Sequence, residues 1–181
     1  MKGTILKCLG DMIRQEHGEA RWREVLTASS LDPDTLFMPT HDVDEATAMR
    51  VMSSSCAVLR LSTTQLYDAF ATHWVEVYVP RVYPHFMEGF RSTREFLLGL
   101  DRVHDIVTRS IAGARPPRFT HEWRDEHTLR MTYRSERGLI ELFESLTRAL
   151  GRHFGERIEV RRLGREVLEI RFPQVVDSAR A

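Results

Sequence analysis

Apolar positions recur every three or four residues through the first two-thirds of the chain, and the spacing predicts a run of helices. Ile5, Leu9, Met12 and Ile13 form one stripe that ends near Gly18, and Trp22, Val25 and Leu26 mark a second, shorter helix. LDPDTLFMPTHD, residues 31–42, reads as loop, with Pro33 and Pro39 as punctuation. Met49, Met52, Cys56 and Leu59 mark the next helix. Ser62 and Gln65 then have capping-box spacing and open a helix that carries Leu66, Phe70, Trp74 and Val77, which Pro80 and Pro84 break. Ser92 and Glu95 repeat that box, and Phe96, Leu100, Val103, Val107 and Ile111 follow at helical spacing. Gly113 closes this stripe, and Pro116-Pro117 forbid its continuation.

After the two prolines the period changes. RFTHEWRDEHTLRMTYRSER alternates on either side of a polar Arg-Asp-Glu-His tip, which predicts an antiparallel hairpin. GLIELFESLTRALGRHF returns to helical spacing through Leu139, Leu142, Phe143, Leu146 and Leu150, and RIEVRRL and EVLEIRF flank Gly164 as a second hairpin. The class expected is α+β: a mainly helical first two-thirds, then a small antiparallel sheet interrupted by one long helix. Residues 1–172 read as a single domain and 173–181 as a flexible tail.

Composition narrows the class without changing it. With 181 residues, 42% apolar and 29% charged, the chain suits one soluble domain that buries about 70% of its unfolded surface. The 26 basic and 26 acidic residues cancel, so no overall field points to nucleic acid or an anionic membrane. Arg161, Arg162 and Arg165 read as a solvated face. The N-terminal apolar run is too short, and Asp11 too early, for a signal peptide, and no stretch approaches the roughly 18 apolar residues of a membrane span. The two cysteines, Cys8 and Cys56, fall on apolar stripes and read as buried free thiols, which suits a cytoplasmic protein.

Two features carry candidate chemistry. His104 shares the apolar face of its helix with Leu100 and Val107, so it is either a satisfied core histidine or a ligand. Leu129, Met131, Tyr133, Ser135 and Arg137 occupy alternate positions, which on one strand gives a phenol, a hydroxyl and a guanidinium aimed the same way. Such a row suits a pair of carboxylates, the arginine gripping one in its fork, although a strand end meeting solvent has the same pattern. His121 and His127, near Glu122, Asp125 and Glu126, lack the H-E-x-x-H spacing and sit at a hairpin tip, a poor place for a metal. No C-x-x-C, G-x-S-x-G or phosphate-binding glycine loop is present.

Four segments occur in an order that resembles one family: MKGTI at the start, D-x-V-H at Asp101 to His104, G-A-x-P-P-R at Gly113 to Arg118, and Y-x-S-x-R at Tyr133 to Arg137. The chain resembles the heme-nitric oxide/oxygen-binding (H-NOX) domains, relatives of the heme domain of soluble guanylate cyclase, along essentially its whole length to about Phe172. The resemblance implies a heme b buried between the helical part and the sheet, with His104 as the iron ligand. It implies that Tyr133, Ser135 and Arg137 hold the two propionates, and that Pro117 and Ile5 press on the porphyrin. The second ring nitrogen of His104 needs an acceptor, and a carbonyl one turn back near Leu100 is the expected one.

Oxygen-binding members of the family carry a tyrosine at the position of Leu142, so a pocket side built by Leu9, Leu142 and Leu146 implies selectivity for nitric oxide over oxygen. Trp74 is the one candidate donor there, or it is plain helix packing. The zinc-binding cysteines of some members are missing, and no structural zinc is expected. By the same resemblance the ligands are nitric oxide and carbon monoxide, and the partner is a histidine kinase or diguanylate cyclase, reached through release of the histidine and relaxation of the heme. A heme enzyme acting on peroxide or nitric oxide is the alternative, and it should place acid–base groups over the iron.

Overall fold

A computed structural model describes residues 3–108 and 115–172. Gly113, Ile111, the side chain of Val107 and the tail lie outside the described residues.

Helix α1 (Gly3–His17) buries Leu6, Leu9, Met12 and Ile13 against α2 (Glu19–Ala28), whose Trp22, Val25 and Leu26 face back. Two glycines permit close approaches. A Cβ at Gly3 would lie 2.1 Å from the Met38 carbonyl oxygen, where the 31–42 loop accepts the Gly3 N–H through His41. A Cβ at Gly10 would meet the Trp22 indole at 2.9 Å.

Helix α3 (Glu45–Leu59) starts at Asp44, whose carboxylate accepts the Thr47 N–H at 2.8 Å. Its buried face is Ala48, Val51, Met52 and Ser55, one step round from the expected stripe, so Met49 is exposed and Cys56 only partly covered. Of the two expected buried thiols, Cys8 alone is fully enclosed.

Helix α4 (Thr63–His73) opens with a complete capping box between Ser62 and Gln65. Pro80 does not end the helical run as expected. Pro80 has no N–H to give the carbonyl four residues back, and the ladder instead widens over Trp74–Tyr78, where the Val79 N–H donates to the Trp74 carbonyl, five residues back. A short helix, α5 (Val79–Val82), continues the path. At α6 (Thr93–Thr108) the box is half formed. Ser92 Oγ accepts the Glu95 N–H at 3.1 Å, while the Glu95 carboxylate takes the N–H of Arg91 rather than of Ser92.

Both predicted hairpins form. Strands β1 (Arg118–Trp123), β2 (Thr128–Arg134), β3 (Glu159–Arg162) and β4 (Val167–Arg171) make one antiparallel sheet in the order β1-β2-β4-β3. Leu129, Met131 and Tyr133 alternate inward on β2 as expected. The ladder ends at the pair Arg118–Arg134, so Ser135 and Arg137 lie in the turn beyond it and do not continue the row on one strand face.

Helix α7 (Ile140–His153) joins two cores. One unites α6, the sheet and Phe143 and Leu150 of α7; the other unites α1–α4 and takes Leu142 from the same helix. Trp74, Leu139 and Leu146 touch both, and the seam they mark is where a cavity opens.

Candidate functional site

The cavity has a volume of about 300 Å³ and runs between α6, the α4–α5 turn, α7, β1 and the Arg115–Pro117 segment. Its lining is dominated by Phe70, Trp74, Phe86, Phe96, Phe119 and Phe143 with aliphatic side chains between them. No carboxylate and no histidine besides His104 lines it among the described residues.

His104 reaches the cavity from α6, with Leu100 and Val103 beside it. Its ring lies nearly parallel to that of Phe119, with centroids 5.4 Å apart and planes inclined by 14°. Burial depresses its pKa to about 4, opposed by the nearby Asp101 carboxylate and reinforced by Arg118, so the imidazole is neutral at physiological pH. The expected hydrogen bond to a carbonyl near Leu100 is not made. Among the described residues, the buried Nδ1 has no hydrogen-bond partner. The His104 backbone carbonyl accepts the Thr108 hydroxyl at 2.6 Å.

The motif residues around His104 lock α6 to β1. Asp101 accepts the Phe119 N–H at 3.0 Å and pairs with Arg118 at 3.1 Å, and Asp105 takes the same guanidinium at 2.6 Å. These two carboxylates flank His104 three residues before and one after it. The strand that carries Phe119 is therefore registered against the helix that carries the imidazole.

At the rim, Tyr133 is buried between Phe119 and Phe143, and Arg137 keeps only 21% of its side chain exposed. The guanidinium donates from Nε to Glu45 at 2.7 Å and from Nη1 to the Arg115 carbonyl at 2.7 Å. Pro116 and Pro117 follow Arg115 along the wall, and Ile5 enters from α1.

Of the residues picked from sequence, His104, Tyr133, Arg137, Pro117, Ile5, Trp74, Leu142 and Leu146 line one cavity. Two do not. Leu9 is turned into the helical core, because only the first turn of α1, with Thr4 and Ile5, borders the cavity. Ser135 stays in the turn, its hydroxyl accepting the Arg137 N–H at 3.3 Å. Trp74 is stacked between Phe70 and Tyr78, at centroid distances of 5.7 and 5.2 Å, so ring packing fixes its plane.

Sequence reasoning missed the hydroxyls of Thr4, Tyr83 and Thr108 on the lining. Thr4 shares a 2.9 Å hydrogen bond with the buried Tyr78 phenol, and Tyr83 brings its own phenol. It also missed the aromatic group Tyr83, Phe86, Phe90 and Phe96, whose members contact one another in sequence order. Their density was visible, but with no regular period it gave no signal of a shared wall.

Comparison with known proteins gives this cavity its context. The sequence profile of the Haem-NO-binding family matches residues 2–162. The chain is 24% identical over 138 residues to soluble guanylate cyclase gcy-31 of Caenorhabditis elegans, covering 76% of this chain and 20% of that protein. It therefore spans about a fifth of the length of that relative.

Solved H-NOX structures share the fold. One from a study of heme distortion in the H-NOX family superposes with a TM-score of 0.82, at 22% identity and 96% coverage of each chain. An oxygen-binding H-NOX domain related to soluble guanylate cyclases, in its oxygen complex, gives 0.81 at 22% identity and the same coverage. A mutant of the T. tengcongensis H-NOX gives 0.81 at 22% identity, covering 97% of this chain and 100% of that one. With the family profile running through every described helix and three of the four strands, the chain belongs to the Haem-NO-binding family, the H-NOX heme domains that sense gases.

Proposed function

We propose that this protein holds one heme b noncovalently in the cavity and senses nitric oxide in preference to oxygen, with no catalytic step of its own. The observation that carries the proposal is His104: a neutral imidazole reaching an apolar cavity, its ring plane set by Phe119. Among the described residues no group of three or more His, Cys, Asp or Glu side chains could hold a bare ion. Iron here needs a macrocycle to supply its other donors, and the lining suits one. The sequence has no C-x-x-C-H, so attachment is noncovalent.

In this reading His104 ligates iron through Nε2, Arg137 and Tyr133 receive the propionates, and Pro117 and Ile5 press on the ring. Ser135 holds the Arg137 backbone through its oxygen and keeps its O–H to donate to a propionate. Bound heme supplies a ferrous iron that takes diatomic gases. Burial keeps His104 unprotonated and ready to bind near neutral pH. Leu142 and Leu146 offer no proton to a bound gas, which favours nitric oxide, a ligand that does not need one, over oxygen, which does.

His104 is also the link to output. It ties the cavity to α6, and the Asp101–Arg118–Asp105 group ties α6 to the Arg115–Arg118 segment. Letting go of His104 frees α6 to shift against β1 and α7, and a separate cytoplasmic partner, a histidine kinase or diguanylate cyclase, reads the shift. No described helix is long and apolar enough to cross a membrane. A peroxide- or oxygen-activating enzyme fits less well, since the cavity has no second histidine or carboxylate for acid–base work among the described residues.

The test is anaerobic titration of heme into the apoprotein, followed by nitric oxide, carbon monoxide and air in turn. One equivalent of heme, binding of the first two gases and none of oxygen are expected. Failure to bind heme, or steady turnover of peroxide, contradicts the proposal.

A further inference from the structure

Glu45 and Arg137 are 92 residues apart in sequence, yet their side chains form a 2.7 Å ion pair. Glu45 is the first residue of α3, set by the Asp44 cap, and it lies outside the cavity. Arg137 lies on the lining, as do Arg115, Pro116 and Pro117. A guanidinium has five N–H donors in a rigid plane. Here Nε serves Glu45 and Nη1 serves the Arg115 carbonyl, and among the described residues both donors of Nη2 are uncommitted. Two anchors on a planar group fix the plane as well as the position.

We propose that Glu45 is a positioning residue for the carboxylate-binding arginine: from outside the cavity it fixes the Arg137 fork so that the remaining donors meet an incoming heme propionate. This rests on the reading that Arg137 receives a propionate. A long arginine left loose would lose rotamer freedom on gripping that carboxylate, and the Glu45 contact removes that freedom beforehand. The Arg115 carbonyl makes the effect wider. The guanidinium that Glu45 holds also pins the residue before Pro116-Pro117, so the propionate clamp and the proline wall share one anchor in α3. Because Glu45 is about half exposed (48%), solvent screens the pair, and the effect is modest, roughly three- to tenfold in heme retention.

The experiment measures the rate at which heme passes to excess apomyoglobin from the wild type, Glu45→Ala, Glu45→Gln, Arg137→Ala and the Glu45→Ala/Arg137→Ala pair. Glu45→Ala should release heme roughly three- to tenfold faster, and Glu45→Gln, which keeps an acceptor without the charge, should fall between it and wild type. The double variant should match Arg137→Ala alone in heme release, because the proposed effect of Glu45 on the propionate runs through that arginine, whatever its contact with the N-terminal amine adds to folding. Additive effects, wild-type release from Glu45→Ala, or slower release from it overturn the proposal while leaving Arg137 as the clamp. Wild-type release from Arg137→Ala overturns both the clamp and the proposal. Apoprotein melting curves show whether each variant is folded, and Glu45→Gln, close in size to the native residue, keeps the comparison open if the alanine variant is not.

Discussion

The imidazole of His104 and the ring of Phe119 lie 5.4 Å apart and within 14° of parallel, and this stacking is what orients a histidine whose Nδ1 has no hydrogen-bond partner. In most metal-binding histidines the second nitrogen is held by an acceptor. In the proposed iron site the aromatic face of Phe119 on β1 sets the ring plane instead, and the Asp101–Arg118 pair holds that face in register. Phe119→Leu should keep the apolar volume and lose the ring contact, lowering apoprotein stability by about 0.5–1.5 kcal/mol. Heme should still bind, with lower affinity. Urea unfolding and heme titration of the variant check both halves, and unchanged affinity would remove Phe119 from the account.

Protonation of His104 gives a second expectation, for the apoprotein. Burial holds its folded-state pKa near 4 against an ordinary 6.5, with Asp101 and Asp105 pulling upward and Arg118 downward. The unfolded chain thus takes up this proton first as pH falls. The neutral ring contributes fully above about pH 6.5, and its contribution is lost as pH drops towards 4. At ~1.4 kcal/mol per unit the swing is at most about 3.5 kcal/mol. Urea midpoints at neutral pH and near pH 5 should differ more for wild type than for His104→Leu. Equal differences would place the His104 ring in water.

Much of the fold was readable in the residues, and the gaps have physical causes. Caps and helical periods are local, so the Ser62–Gln65 box and the stripes of α1, α4 and α7 were legible. Alternation is local too, and Leu129, Met131 and Tyr133 point inward as expected. Where a strand stops is not local. It depends on partners, and β2 loses them at Arg134, so the Tyr133–Ser135–Arg137 row breaks although its pattern does not. Ile5 and Leu9 share a face by spacing, but only packing decides that the cavity reaches the first and not the second. Pro80 was read as a break because the widened turn that passes it depends on how Trp74 and Tyr78 stack.

The turn position of Ser135 sharpens the comparison between the two clamp residues. Arg137→Ala should weaken heme binding by about 1.5–3 kcal/mol, since it removes a charged fork from a half-buried rim. Ser135→Ala should cost about 1 kcal/mol at most, because it removes one neutral hydroxyl, whose oxygen also holds the Arg137 backbone. Competition with apomyoglobin ranks them, and equal losses would contradict the clamp.

Gas selectivity is the next expectation. The ferrous protein should bind nitric oxide and carbon monoxide and form no lasting complex with oxygen in air, because Leu142 stands where a phenol would donate. Such a bond is worth roughly 1.5–3 kcal/mol, or ten- to a hundredfold in affinity. Leu142→Tyr should shift the protein towards oxygen, in part only, as Leu9 does not reach the cavity to steady the new hydroxyl. A stable oxygen complex of the unmutated protein would mean that Trp74 or another donor on the lining, such as Thr4 or Tyr83, reaches the gas.

The central claim is that His104 is the iron ligand, and it is tested most directly by the absorption spectrum of His104→Gly after reconstitution with heme and reduction. The account predicts a lost or shifted Soret band in the variant, restored by added imidazole, which fills the space left by the ring. A spectrum identical to that of the wild type, without imidazole, would contradict it.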